Sequence, residues 1–470
     1  MLFSSMIFLW LFLPVVFCLY YLIKKEYRNV LLLVSSIIFY AWGGVSYTLI
    51  MFSSIIINYI FALLIDNSIE KNDKLKKKIY LALCVIVNLS ILGYFKYTDF
   101  AISIINSISA KEVISLKNIV LPIGISFYTF QALSYVIDVY REHNKAQKNI
   151  INLALYISFF PQLIAGPIVK YHDIDTQIMN RTETLENISY GIKRFIYGLS
   201  KKVILANMFA LSCDEILKQS IGDIGTALAW IAAILYTLQI YYDFSGYSDM
   251  AIGLGHMFGF KFLENFNYPY ISKSVQEFWR RWHISLSTWF KEYLYIPLGG
   301  NRRGKYFTYL NLFIVFFATG LWHGASFNFI LWGLWHGLFL IIERIFLGKL
   351  LEKNKLKFLN HIYVILVFVL GWVLFRANDL KHALELYKVM FSYQEGFYTV
   401  RYFFYPQTLV CFIFGILFCG LFQSLFPKIK ESVFSSRVYV LESIIQFILL
   451  FICIMYLVNG TYNPFIYFRF

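Results

Sequence analysis

The sequence has 470 residues, of which 59% are hydrophobic, 20% aromatic and 15% charged. An ordinary soluble domain carries about 25% charged residues, so that class is excluded. The net charge of +15 falls in basic loops between apolar runs and not on one long basic face, which fits a membrane protein and argues against a nucleic-acid binder.

The apolar runs are roughly 17–25 residues long, not alternating ten-residue segments, so helices and not a closed barrel are expected to satisfy the backbone in lipid. A first helix is expected from about Phe3 to Ile23. It has no positive segment in front and is followed by Lys24, Lys25 and Arg28. That order predicts an uncleaved first span with its N-terminus extracytoplasmic. A second span runs to about Trp42, and Gly43-Gly44 turns the chain into a third ending near Ile65. The next loop carries Lys71, Lys74, Lys76, Lys77 and Lys78, on the same side as the first basic cluster in an up-down count, which makes that side cytoplasmic.

A fourth span covers about Ile79 to Tyr97. A fifth begins at Leu121, with Pro122 and Gly124 at its start, where proline is tolerated. In NLALYISFFPQLIAGPIVKY, Pro161, Gly166 and Pro167 break an apolar run too short to span comfortably. A re-entrant or broken helix is expected there, buried in protein or lining a wet cavity. Glu186 to Leu205 reads as an amphipathic helix at the inner interface. A further span from Thr226 carries Asp243 and Asp249. Others follow at about Phe307–Trp322, Phe327–Phe346, Ile362–Leu374, Thr408–Phe426 and Leu441–Val458. The total is about eleven spans in an all-α polytopic protein, one membrane domain over residues 1–470.

The six cysteines are scattered, with no C-x-x-C, so neither a disulfide framework nor a zinc site is expected from them. There is no G-x-S-x-G, no H-E-x-x-H and no cysteine beside a histidine, which disfavours the common hydrolase systems. The string Gly299-Gly300-Asn301-Arg302-Arg303-Gly304-Lys305 matches the first part of a P-loop, but Tyr306 stands where a magnesium ligand should be and no strand precedes it. An NTPase is excluded. Arg302, Arg303 and Lys305 can instead hold a phosphate-bearing donor, or face anionic lipid.

His323 lies between Trp322 and Gly324 in membrane-grade sequence. An ionisable residue at such depth marks a functional site by default, the alternative being a core histidine bonded to a carbonyl. A neutral imidazole can take a proton from a hydroxyl and return it to a leaving group. His336 repeats the Trp-His-Gly context 13 residues on. On a continuous helix that is a rotation of about 220° and a rise of about 20 Å, so it would not share a site with His323 unless the helix breaks, and a structural role is expected. His283, in FWRRWHISLS, reads as part of an interfacial anchor or as a second functional histidine at the inner end of a passage. Asp243 and Asp249, six residues apart, fall on opposite flanks of a helix, so a carboxylate pair is not expected.

At these positions the sequence resembles the membrane-bound O-acyltransferase (MBOAT) family, in its bacterial alginate O-acetyltransferase-like branch. The matching blocks are LPIGISFYTFQ from Leu121, FFPQLIAGPIVKY from Phe159, YYDFSGYSDMAIGLG from Tyr241, FWRRWHISLSTWFKEYLYIPLGG from Phe278, GLWHGASF from Gly320 and YNPFIYFRF from Tyr462. The resemblance implies helices around a tunnel and acyl transfer to an extracytoplasmic polysaccharide. It implies a cytoplasmic thioester donor such as acetyl-CoA and no permanently bound cofactor. His323 would be the catalytic residue and His283 a second position linked to activity. A separate hydrolase-like partner outside a bacterial inner membrane is also implied. Other classes consistent with the sequence are a transporter of a glycan or acyl carrier, with the histidines as a proton relay, and a scaffold for a secretion complex.

Overall fold

The computed structural model describes residues 1–426, 439–460 and 462–466; the final four residues of the YNPFIYFRF block lie outside them. All regular elements among the described residues are helical. The chain forms two compact units, Met1–Phe195 with Met250–Leu263, and Ile196–Asp249 with Glu264–Phe470.

Among the described residues, seven helices are long and apolar enough to cross a membrane: Val45–Glu70, Lys74–Ser109, Thr226–Met257, Phe327–Lys353, Lys357–Arg376, Pro406–Leu425 and Val440–Asn459. This is a multi-pass membrane protein, though the expected count of about eleven is not reached by this measure among the described residues. Several apolar runs fold as shorter helices, such as Arg28–Ala41 with 14 residues and Ile125–Tyr140 with 16. The fourth expected span instead grows to 36 residues, Lys74–Ser109.

In the first unit, Val45–Glu70 and Lys74–Ser109 form a helical hairpin. Its turn is closed by Asp73, whose carboxylate accepts from Lys76 N–H at 3.0 Å, the capping bond expected at a helix start. Deeper in the hairpin, buried Asn58 and Asn88 exchange amide hydrogen bonds of 3.0 and 3.1 Å. Such a reciprocal pair leaves no amide group unsatisfied in an apolar setting and fixes the register of the two helices. The broken segment behaves as its prolines and glycine predict. Ile150–Ser158 ends at Phe159, a four-residue turn follows, and residues 152–171 are buried. Its polar groups find partners within the unit: Phe160 N–H donates to Ser36 Oγ at 3.0 Å, Gln162 Nε2 to Tyr156 O at 2.6 Å, and Tyr156 OH to Val169 O at 2.8 Å. Non-helical backbone at depth survives under these conditions.

In the second unit, Lys305–His323 and Phe327–Ile342 pack as a tight antiparallel pair. A Cβ on Gly320 would come within 2.4 Å of Phe329 O, and one on Gly333 within 2.2 Å of Phe316 O. The small residues therefore let the two backbones touch, the usual device for helix contact in membranes. The amphipathic stretch continues into a π-helical turn, Lys201–Ala206. There Lys201 and Lys202 turn to the carboxylates of Asp249 and Asp243, at 2.5 and 2.8 Å. Lys202 is buried, so this lysine is an internal ion-pair partner and not an anchor at the interface.

Candidate active site

The segment around His283 is built from its caps outward. The short helix Val275–Arg281 begins at Ser274, whose hydroxyl accepts from Glu277 N–H at 3.0 Å. Glu343 arrives from the Phe327–Lys353 helix and accepts from Val275 N–H at 2.6 Å and Gln276 N–H at 2.9 Å. A carboxylate at a helix N-terminus satisfies orphan donors and complements the dipole. That helix stops at Trp282, and His283 turns the chain with φ +44° before Ile284–Phe290 starts. A positive φ is uncommon outside glycine, and a residue held there is over-determined by its surroundings.

Those surroundings also fix the tautomer of His283. Asn265 Oδ1 accepts from Ser285 N–H at 3.1 Å and Ser285 Oγ at 2.9 Å. A backbone N–H can only donate, so the amide oxygen must face this side. His283 Nδ1, at 3.3 Å from the same oxygen, therefore carries the proton in the neutral ring, which leaves Nε2 as the basic nitrogen. Nε2 is buried and without a hydrogen-bond partner among the described residues.

His323 is the last residue of the Lys305–His323 helix, where Gly324 leaves in an extended conformation. A Cβ on Gly324 would fall 2.2 Å from the Phe329 ring, so the Trp-His-Gly order puts a close-packed turn directly after the imidazole. The His323 ring is 5% exposed and meets Trp322, Trp332 and Phe375 at centroid distances of 5.0, 4.9 and 5.3 Å. The helix does break between His323 and His336. The returning Phe327–Ile342 helix carries Trp332 back to His323, and His336, four residues further along that same helix, meets Trp332 at 5.2 Å and stacks on Phe368 at 4.5 Å. The rotation and rise of a continuous helix do not apply. His283 joins the cluster through Trp322, at 6.0 Å. All three histidines belong to one aromatic cluster, where the sequence suggested two ends of a passage.

A cavity of about 810 Å³ lies in the same unit, within the size range of small-molecule sites. Six basic side chains, among them Arg280, Lys291, Arg302 and Arg344, and three acidic ones line it, together with apolar Trp279, Phe290 and Phe316. None of the three histidines forms its wall. Trp279 does, and its ring packs on Trp332 at 5.8 Å and His336 at 5.3 Å. Packed rings, Trp279 and then Trp332, thus stand between the cavity and His323. Of the loop residues expected to hold a donor, only Arg302 lines the cavity; Arg303 and Lys305 are exposed and outside its wall. Arg280 and Lys291, which do line it, were not singled out as donor-binding residues by their spacing. The same is true of Glu343 and Asn265, which set the helix and the tautomer from 60 residues downstream and 18 residues upstream of His283. No motif links such positions. Asp243 and Asp249 stand apart from one another on separate lysines, as their spacing implied.

The family model described as MBOAT, membrane-bound O-acyltransferase family, matches residues 105–384. A Pseudomonas putida protein named "Probable alginate O-acetylase AlgI" is 47% identical over 84% of this chain and 81% of its own length. A Helicobacter pylori peptidoglycan O-acetyltransferase is 37% identical over 83% of this chain and 80% of its own. A Bacillus subtilis teichoic acid D-alanyltransferase is 28% identical over 46% and 57%. With its family match covering more than half the chain and its relatives aligned across most of it, this protein belongs to the membrane-bound O-acyltransferase family and is an acyltransferase.

Proposed function

We propose that the protein takes an acetyl group from a thioester donor such as acetyl-CoA at the inner face of a bacterial cell membrane and passes it across for O-acetylation of an extracytoplasmic polysaccharide. The immediate acceptor is a hydroxyl of the glycan or of a separate hydrolase-like partner. Residues 1–470 act as one membrane domain, with the N-terminus extracytoplasmic, and the family match running through both units supports that reading. Relatives named for O-acetylation of alginate and of peptidoglycan support acetyl as the group and a surface glycan as the acceptor. Family membership favours transfer chemistry over transport.

The observation that carries the proposal is the placement of His323: a buried imidazole at a helix end, linked by Trp332 and Trp279 to a cavity with a basic excess. Arginine and lysine side chains there complement the phosphates of a nucleotide-linked thioester. In this reading the acetyl end of the donor reaches past the Trp279 wall to within hydrogen-bond range of His323, which accepts the proton of the attacking hydroxyl as its oxygen bonds to the thioester carbonyl carbon. The carbon–sulfur bond then breaks, and the thiolate leaves with the proton returned by the imidazolium. His283, with its basic Nε2 directed away from Asn265, is the second histidine of the site.

The test is thiol release from acetyl-CoA and acetyl incorporation into glycan, measured with membranes carrying the wild type or His323→Ala at equal abundance. A loss of about 100-fold or more is expected on removing a general acid–base group. Full activity in the variant would overturn the assignment.

A further inference from the structure

The first unit holds a second cluster of chemically active side chains that the acyl-transfer reading does not use. Asp138 lies in the last turn of the Ile125–Tyr140 helix, its side chain 1% exposed. That helix ends with Glu142 at φ +63°, Glu142 N–H bonded to Val139 O and His143 N–H bonded to Asp138 O, both at 3.0 Å. This is the Schellman arrangement, which folds the second residue past the cap back over the residue that accepts its bond. That contact is usually apolar. Here it sets His143 Nδ1 at 3.8 Å from Asp138 Oδ1.

The other oxygen of Asp138 is met by His172, from the first turn of the Tyr171–Met179 helix. His172 Nδ1 lies 2.8 Å from Asp138 Oδ2, and its Nε2 lies 3.3 Å from Asp173 Oδ1. One ligand atom each from Asp138, His143 and His172 falls within 4.8 Å of the others. From these positions we propose that Asp138, His143 and His172 bind a divalent transition ion of the zinc class. Two imidazoles and a carboxylate form a donor set that zinc accepts.

Asp173 supplies the feature that separates this cluster from an ordinary ion pair. Metal-bound histidines commonly donate their other ring N–H to a carboxylate, which fixes the tautomer and raises ligand basicity. The Asp173 carboxylate beside Nε2 favours a proton on that nitrogen, which leaves Nδ1 to serve as the metal-facing lone pair. Two groups oppose a cation here: the Lys170 ammonium, 3.8 Å from Asp173, and the N-terminal end of the His172 helix. The carboxylates of Asp138 and Asp173 offset them. The bound ion would join the end of one helix to the start of another across the broken 150–170 segment, and the site is independent of the acyl-transfer proposal. Sequence spacing does not reveal it: the cysteines carry no zinc pattern, and a ligand at i+5 acts only through the αL turn.

The experiment uses the full-length chain purified in detergent, stripped with a chelator and titrated with Zn2+ alone. One equivalent is expected per chain, with a rise in melting temperature. His143→Ala and His172→Ala should each weaken uptake by at least about tenfold, and Asp173→Asn by about tenfold through loss of the supporting carboxylate charge. The His143 side chain is 55% exposed, so its substitution leaves the metal-free melting temperature unchanged and separates lost binding from lost folding. No uptake by the wild type, or equal affinity in wild type and His143→Ala, overturns the proposal.

Discussion

His283 and His323 pack against the same indole: the Trp322 ring lies 6.0 Å from His283 and 5.0 Å from His323. Forty residues apart in the chain, they share one aromatic wall. If both serve one proton path, their effects are coupled. His283→Ala is expected to lower kcat by about 10- to 100-fold, less than the loss in His323→Ala, and the double variant to be no worse than His323→Ala alone, as groups acting as a unit are non-additive. Steady-state acetyl transfer by the three variants checks this. Losses that multiply in the double variant would assign the two histidines to separate steps.

The cavity argues for a different split of kinetic constants. Arg280 and Lys291 line it, whereas Arg303 does not. Arg280→Glu and Lys291→Glu should raise KM for an anionic thioester donor by about tenfold with kcat little changed, the pattern of lost ground-state binding. The effect should shrink in high salt, since exposed charges are screened. Arg303→Glu should leave both constants unchanged. A KM effect of Arg303→Glu as large as that of Arg280→Glu would move the donor site to the glycine-rich loop.

How much of this was legible in the sequence depends on the range of the interaction concerned. The all-α membrane class follows from run lengths, and the break after Phe159 follows from Pro161, Gly166 and Pro167, because those signals act within a few residues. His323 stood out on equally local grounds, an ionisable residue between Trp322 and Gly324 in membrane-grade sequence. The convergence of His283, His323 and His336 on Trp322 and Trp332 was not legible. It depends on a helix break at Gly324 and on close contact of two backbones at Gly320 and Gly333. Spacing rules assume continuous helices, and the histidine arithmetic, which held only for an unbroken helix, does not apply across the break at Gly324. Arg302, Arg303 and Lys305 stood out because they crowd into four residues of one glycine-rich string, but the cavity is assembled from elements far apart in the chain.

Lys202 and Asp243 form an ion pair at 2.8 Å with side chains 3% and 2% exposed. Asp243 also accepts from Ile466 N–H at 2.8 Å, and Lys202 bonds to Pro464 O, so the pair pins the 462–466 segment. Lys202→Met strands a buried carboxylate and should cost about 3–5 kcal/mol, whereas removing both charges is often close to neutral. Melting temperatures of Lys202→Met and of Lys202→Met/Asp243→Asn in detergent check this. The double variant should recover a large part of the loss; a double variant as unstable as the single one would place the stabilisation in the hydrogen bonds to 464 and 466 and not in the charge pair.

Glu183 gives a pH dependence with a definite sign. Burial pulls its carboxyl pKa upward, but hydrogen bonds from Tyr20 and Arg28 and the charges of Arg28 and Arg181 outweigh that and hold it below its ordinary value. A carboxylate depressed in the folded state stabilises the fold above its unfolded pKa, about 4.3, and loses that contribution as pH falls through the folded value. Glu183→Gln should therefore melt lower than the wild type near neutral pH, by an amount corresponding to about 1–3 kcal/mol for charged hydrogen bonds. The gap should close as the pH is taken down through the acid range. Melting curves of both proteins between neutral pH and about pH 3.5 decide it: a gap that stays constant over that range would mean the loss comes from packing and not from the ionised carboxylate.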